Sequence, residues 1–550
     1  SGGDGFQAQM DPSNPRIVYG ESQDGRMSRV DRLTNERKSI RPEAPAGERE
    51  LRWNWDTPMV ISPHDPGTLF VAANRLYRSS DRGGSWTAAS PDLTTNADRE
   101  EVAIMGVVGK DIKIAKHDGV SQFPTIVSFA ESAKKAGIYW TGSDDGLVQV
   151  SKDAGKTWTN VTAKIPGLAK GTYVSEIAPS KFAEGRAYAS FDGHRANDFA
   201  TYLYASDDFG DTWRPITEGL KGQVVRCVAE DLVNQDVLYA GTEEGLFVSI
   251  DRGKAWTRVK ANLPTVPIYE ITIHPRDNDL ILATHGRSVW ILDDLSPFQQ
   301  ASKAQATTAF LFEAAPAIQR RPSNERMRQF EGNRIFLGKN PDFGASLQFW
   351  LKADAKEVKL VVKDAGAKVV RELSGDALKD QNKAGINTAV WDLRVAPVPA
   401  LRGQAAGGGG FFGNVNEGPM VLPGTYSVGL VVDGRDAGTT SVKVSGDPDI
   451  SITDADRKTT FDAVMALHEL QRTANQAAGA IQDMHDQLTK VQDAIKTLPT
   501  VAPEVKTAVD DARKKLDASR QKFGLMGGGG EGGFNQNVRG RVGQLKASIS

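Results

Sequence analysis

The chain has 550 residues, with 67 basic against 69 acidic side chains, a formal net charge of −2, 39% hydrophobic residues and 25% charged residues. This is the composition of a globular protein of several domains, and it excludes a disordered chain or a strongly basic nucleic-acid binder. One cysteine, Cys227, excludes intramolecular disulfides, and no apolar run approaches the roughly 20 residues of a membrane helix.

The first part of the chain is a repeat. Units begin near residues 11, 58, 124, 173, 224 and 268. Each opens with an apolar strand and a turn such as Ser62-Pro-His-Asp-Pro, continues with a second short strand such as Val237-Leu-Tyr-Ala, and then a polar or Gly turn and a third strand. After the third strand, four units carry one motif: Ser79-Ser-Asp81-Arg-Gly83-Gly-Ser85-Trp86, Ser151-Lys-Asp153-Ala-Gly155-Lys-Thr157-Trp158, Ser206-Asp-Asp208-Phe-Gly210-Asp-Thr212-Trp213 and Ser249-Ile-Asp251-Arg-Gly253-Lys-Ala255-Trp256. The first and last units have degenerate forms, at Ser28-Arg-Val-Asp31 and at Trp290-Ile-Leu-Asp293-Asp294. The motif is the Asp-box, and four strands per unit predict the blade of a β-propeller. Its parts read as structural: the Asp accepts turn N–H groups, the Gly permits a left-handed backbone, and the Trp packs between blades.

In an up-and-down blade the Asp-box joins strands three and four, so the loops joining strands two and three lie on the opposite rim. That rim is predicted to carry any ligand. Its carboxylates Asp56, Asp144, Asp145, Asp192, Glu243 and Glu244 are candidates for glycosidic acid/base work. Trp53, Trp55, His194, Arg195, His285 and Arg287 are candidate ligand-binding residues, since neither His nor Arg is needed for such turns. Trp53 and Trp55 serve equally well as core residues wedged between blades. Tyr173, Arg226 and Tyr269 lead into first strands on this rim, as do His117 and Asp118 in the long segment 94–123. Asp-Gly and Glu-Glu-Gly are also ordinary turn chemistry. No His pair has metal-ligand spacing, no phosphate loop or nucleophile elbow occurs, and neither metal nor cofactor is expected.

Residues 298–340 read as a transition with a basic cluster at Arg320, Arg321, Arg326 and Arg328. Period-two alternation in Ala345-Ser-Leu-Gln-Phe-Trp-Leu, Asn387-Thr-Ala-Val-Trp and Gly424-Thr-Tyr-Ser-Val predicts an Ig-like β-sandwich over 341–447. A Gly-rich insertion spans 403–418 and includes Phe411 and Phe412. The remainder, 448–550, reads as a helical hairpin and tail. Thr453 caps its first helix, and Ile481, Met484, Leu488, Val491, Ile495 and Leu498 form an apolar stripe suited to a partner helix. A second helix is expected over about 503–523, then a Gly-rich link at 527–533 and a last helix.

The Asp-boxes, Trp53-Asn-Trp-Asp-Thr-Pro58, Asp192-Gly-His-Arg195 and Thr284-His-Gly-Arg-Ser-Val-Trp-Ile-Leu-Asp-Asp294 resemble a large bacterial family of BNR-repeat propeller proteins that carry the labels glycosyl hydrolase or sortilin-like (VPS10-type). The resemblance spans essentially the whole chain. It implies a secreted, periplasmic or cell-surface protein whose propeller, 1–297 here, has further blades upstream, so that this chain is the C-terminal portion of a longer one. Relatives diverge in chemistry. The Arg-Ile-Pro motif of sialidases is not found, the paired acids of xyloglucan-cleaving glycosidases cannot be matched, and one cysteine excludes the cysteine-rich module of sortilins. The expected function is therefore a binding scaffold for a polysaccharide or protein ligand, with the helical tail available to partner subunits; glycoside hydrolysis is the alternative.

Overall fold

The computed structural model describes residues 3–104, 106–114, 122–320, 342–400, 416–526 and 537–549. His117, Asp118, Arg321, Arg326, Arg328, Phe411, Phe412 and the 527–533 link lie outside the described residues. Contacts divide the chain into two compact units, Ser1–Ala301 and Ser302–Ser550.

The first unit is a succession of antiparallel sheets, each with its strands in sequence order. The first sheet is Gly5–Met10, Ile17–Ser22, Arg26–Asp31 and Arg37–Ser39; the second is Met59–Ile61, Leu69–Ala72, Leu76–Ser79 and Thr87–Ala88. The third is Ile126–Glu131, Tyr139–Ser143, Val148–Ser151 and Thr159–Asn160. The fourth is Tyr173–Pro179, Ala187–Asp192, Tyr202–Ser206 and Arg214–Pro215. The fifth is Val225–Glu230, Leu238–Thr242, Gly245–Ser249 and Thr257–Arg258, and the sixth has three strands, Ile268–Ile273, Leu280–Thr284 and Val289–Leu292. These are propeller blades. Apolar cores lie between successive blades: Trp140, Ile177 and Phe191 join the third to the fourth, and Val228, Leu238 and Leu203 join the fourth to the fifth. Buried polar staples add direction. Ser62 Oγ donates to Glu131 across one blade junction (2.5 Å), and Ser180 Oγ donates to Glu230 across another (2.7 Å).

Each Asp-box closes the turn between third and fourth strands in the same way. In the box at Ser151, the Ser Oγ accepts the Gly155 N–H (2.9 Å), while Asp153 accepts the Thr157 N–H (2.9 Å) and hydroxyl (2.7 Å). The Asp81, Asp208 and Asp251 boxes repeat the bonds to Ser Oγ and to the backbone N–H four residues on. The glycines stand at φ +79°, +87°, +83° and +78°, where a side chain is strained. A Cβ on Gly155 would lie 2.2 Å from the Ala89 carbonyl oxygen, and one on Gly253 would meet Ile216 at 2.9 Å. Three of the box tryptophans donate to the same places, Trp86 Nε1 to Ile40 O (2.7 Å), Trp158 Nε1 to Ala89 O (3.3 Å) and Trp256 Nε1 to Ile216 O (2.8 Å), whereas Trp213 Nε1 is buried without a partner. Every box thus clamps the end of the preceding blade.

In the second unit, Ala309–Leu311, Ala345–Leu351 and Gly385–Trp391 form a three-stranded sheet. Ala317–Gln319, Arg435–Gly446, Gly424–Val432, Val358–Lys363 and Val369–Leu373 form a five-stranded one. Alternate residues from both sheets, including Leu347, Phe349, Trp391, Leu360, Val428 and Val442, share one core, so this is a two-sheet sandwich. Two of its strands, Ala309–Leu311 and Ala317–Gln319, come from the segment that the sequence reads as a transition.

Helices follow at Asp454–Thr497, Pro503–Lys522 and Val538–Ile549, the first capped by Thr453, whose side chain accepts the Asp456 N–H (3.1 Å). Val464, His468, Gln471, Ala474, Asn475 and Ala478 are buried along one face of its first half. Beyond them the apolar stripe is only half covered. Ile481, Leu488 and Ile495 are half-buried, while Met484, Val491 and Leu498 are exposed, because a single helix packs alongside.

Candidate functional site

The strand order puts the Asp-boxes at one end of the blades and the loops between second and third strands at the other. On that second rim the blades are in register. The backbone N–H groups of Asp144, Glu243 and His285 donate to the carbonyls of Thr125, Val224 and Pro267 (3.0, 3.2 and 2.9 Å), and Asp192 pairs with Tyr173. Four successive blades therefore present Asp144, Asp192, Glu243 and His285 at one equivalent step. Just inside, each first strand carries a β-bulge, which leaves Val127, Ser175, Arg226 and Tyr269 outside the pairing register.

These positions build a polar cluster. Arg226 ion-pairs with both Asp192 and Glu243, tying the fourth blade to the fifth. Its guanidinium lies 5.0 Å from the Tyr269 ring, and Tyr269 stacks on His285 at 5.2 Å. His194 Nδ1 bonds Asp192, and the His194 ring meets Phe199 edge-on at 4.8 Å. Arg195 lies over the Tyr173 ring at 4.7 Å. Tyr269, 48% exposed, and Phe199, 55% exposed, leave aromatic surface open to solvent.

Every candidate carboxylate is engaged. Asp144 directs both oxygens at Thr125, to its N–H (2.7 Å) and hydroxyl (2.9 Å), and burial pushes its carboxyl up to about 6. Asp145 accepts the Thr95 N–H (2.7 Å) and the hydroxyls of Thr95 and Ser143. Burial works against the Asp192 charge, yet the His194 N–H and Arg226 hold that carboxyl below its usual range. Glu244 accepts from the Gln223 amide (3.1 Å). Asp56 accepts from the Gln7 amide (3.2 Å); it is solvent-accessible but closely surrounded, and the loss of hydration raises its pKa.

Among the ligand candidates, Trp53 departs from the expectation of a ligand-facing ring. It is 1% exposed, Arg41 lies 5.0 Å over it, and a Cβ on Gly25 would fall 2.4 Å from it. The ring is a core wedge of the first two blades, the other role its sequence allows. Trp55 and His194 are half-buried, and Arg195, His285 and Arg287 are exposed.

Sequence reasoning missed Glu21, Glu176 and Arg99. Glu21 lies next to the end of the second strand of the first blade at 4% exposure, its Oε2 has no partner, and burial, followed by the charge of Asp56, raises it to about 8. Burial raises Glu176 to about 7. No periodicity marks these acids, because the contacts that bury them come from neighbouring blades. Among the described residues no cluster of three or more His, Cys, Asp or Glu side chains could hold a metal, and no helix is long and apolar enough to cross a membrane.

The BNR-Asp box repeat family model matches residues 76–88, the first of the boxes whose bonds recur in four blades. The chain is an Asp-box repeat β-propeller protein. A second family model, described as sortilin, neurotensin receptor 3, matches residues 201–326 of this chain. No curated protein matches it. Similar solved structures include a GH74 xyloglucanase from Xanthomonas campestris, at 19% identity over 54% of this chain and 52% of that one, TM-score 0.36. A GH74 enzyme from Niastella koreensis is similar at 16% identity over 53% of each chain, TM-score 0.24. The extracellular domain of a putative hybrid two-component system from B. thetaiotaomicron is similar at 11% identity over 81% of this chain and 50% of that one, TM-score 0.36. The Asp-box propeller chain spans about half the length of these structures.

Proposed function

We propose that this chain is an extracellular binding scaffold, secreted, periplasmic or cell-surface, whose propeller takes a glycan or protein ligand on the rim opposite its Asp-boxes without turning it over. The observation that carries this reading is the state of the six rim carboxylates: each is committed to a backbone N–H, a hydroxyl, an amide or an arginine of its own chain. Glycoside hydrolysis needs one acid free to give a proton and a second facing it across the bond. The rim offers instead fixed donors and open aromatic faces, which suit recognition. In this reading residues 1–297 bind, the sandwich of 341–447 is an Ig-like positioning domain, and the helices of 448–550 offer a surface to partner subunits.

The test is a panel of immobilised glycans run beside chromogenic glycosides. Retention on one or more glycans with no release of chromophore is expected. Turnover that disappears in an Asp56→Asn variant would overturn the reading in favour of a hydrolase. That alternative has one observation on its side: Asp56 and Glu21 both have raised pKa values, and the charge of Asp56 contributes to the shift of Glu21.

A further inference from the structure

Arg99 and Arg195, on this rim, have no ion-pair partner among the described residues. Arg99 lies in the single turn Arg99–Glu101, between the second and third blades, and Arg195 in the turn His194–Ala196 after the second strand of the fourth blade. Neither makes an ion pair or donates a hydrogen bond among the described residues, whereas Arg226, Arg52 and Arg186 each do. The Nη1 of Arg99 is shut off from solvent with nothing to donate to. A buried guanidinium nitrogen left unpaired carries a desolvation cost that a native contact normally offsets.

The two cations also sit close enough to oppose each other: burial first, and then the charge of Arg195, make the Arg99 guanidinium harder to keep charged. The Arg195 guanidinium lies 4.7 Å over the Tyr173 ring, a contact that uses none of its N–H donors. The Tyr173 hydroxyl has no hydrogen bond among the described residues, and burial raises its pKa, so it remains a donor. Asp144 is near both arginines, but its two oxygens are turned to Thr125. Asp192 is taken by Arg226 and His194. What remains is two guanidinium groups and a phenol on one rim whose donors no carboxylate accepts among the described residues. Guanidinium forks match carboxylate geometry.

We propose that Arg99, Arg195 and the Tyr173 hydroxyl form a subsite for the carboxylate of an acidic polysaccharide, a uronate-bearing chain lying along this rim. The inference rests on the binding reading above and names its ligand class. A polymer fits because the same rim continues through the exposed Phe199 and on to the Tyr269–His285 stack, where flat aromatic faces suit sugar C–H surfaces.

The experiment is calorimetric titration of the intact chain with polygalacturonate, with a neutral galactan of similar length and with dextran sulfate, using wild type and the variants Arg99→Ala, Arg195→Ala, Arg195→Lys and Tyr173→Phe. Polygalacturonate is expected to bind in preference to the other two. Each Arg→Ala change should weaken it about tenfold or more, and Arg195→Lys and Tyr173→Phe less. Unchanged thermal melting of the variants separates loss of the subsite from loss of the fold. Equal affinity for dextran sulfate overturns the carboxylate assignment. Galactan binding without polygalacturonate binding overturns this inference and leaves the rim as a glycan site. Polygalacturonate binding that neither arginine affects overturns the subsite, and no binding to any polymer counts against both readings.

Discussion

Glu21 carries a proton at neutral pH, because it is 4% exposed and shares its surroundings with Asp56. Its folded pKa is about 8 against 4.5 for an ordinary Glu, so the folded state holds the proton more tightly. The stabilisation is full below pH 4.5 and is lost as pH rises through 8. Glu21→Gln mimics the protonated form. It should melt like wild type at pH 4 to 5 and become the more stable protein above pH 8, by up to ~5 kcal/mol; parallel pH–melting curves would contradict this. Asp153 has the opposite sign. The Thr157 N–H and hydroxyl lower its carboxyl to about 2, so its contribution is present above 3.8 and disappears as pH falls through 2. An Asp153→Asn variant should therefore show a flatter melting profile than wild type between those values. The sequence reveals Asp153 as a turn acceptor because its partners lie within the same motif. It conceals the partners of Arg226, since Asp192 is 34 residues away.

At the level of the element, the Asp-box acts as a clamp on the preceding blade. Its glycine does two things: it adopts a positive φ, and it makes room for the neighbour. Gly155 and Gly222 separate them, at φ +87° and +81°, since a Cβ at 155 would meet the Ala89 carbonyl and one at 222 meets nothing within 4 Å. Gly155→Ala should cost about 2 kcal/mol more than Gly222→Ala in denaturant unfolding. Equal losses would mean that the box closes its own turn and nothing more. Trp256→Phe keeps most of the apolar contact but removes the bond to Ile216 O, at a cost of ~1 kcal/mol.

The helical region offers a second element-scale test. Buried Lys546 donates to His468 Nδ1 (3.1 Å) and Gln471 Oε1 (3.1 Å), while His468 Nε2 bonds the Ala396 carbonyl (3.0 Å). Burial, followed by the Lys546 charge, lowers the His468 pKa from 6.5, so docking of Val538–Ile549 weakens as pH falls below 6.5. Hydrogen exchange in that helix should quicken in acid ahead of exchange in the sandwich strands. Uniform exchange would contradict the account.

Across the whole molecule, the blades and the helices were legible from period and turn residues, because each is set by bonds local in sequence, whereas the sandwich strands Ala309–Leu311 and Ala317–Gln319 were not, the latter pairing with a strand more than 100 residues away. The site was legible only as a rim. Which of its side chains face solvent depends on neighbouring blades and on bulges: Trp53 is covered by Gly25 and Arg41, while Tyr269 is left open. Arg99 has no motif at all, and its significance lies in lacking a partner. The apolar stripe of the long helix was legible as a stripe, but its half coverage depends on a second helix.

The central claim is that ligand binds on the rim opposite the Asp-boxes. Its most direct test is hydrogen exchange on the intact chain with and without a polysaccharide retained in the glycan panel. The account predicts protection at Tyr173, at 192–199, at 224–227, and around Tyr269 and His285, with the four box turns unchanged. Protection confined to the turns at 79–86, 151–158, 206–213 and 249–256, with the opposite rim unaffected, would contradict it.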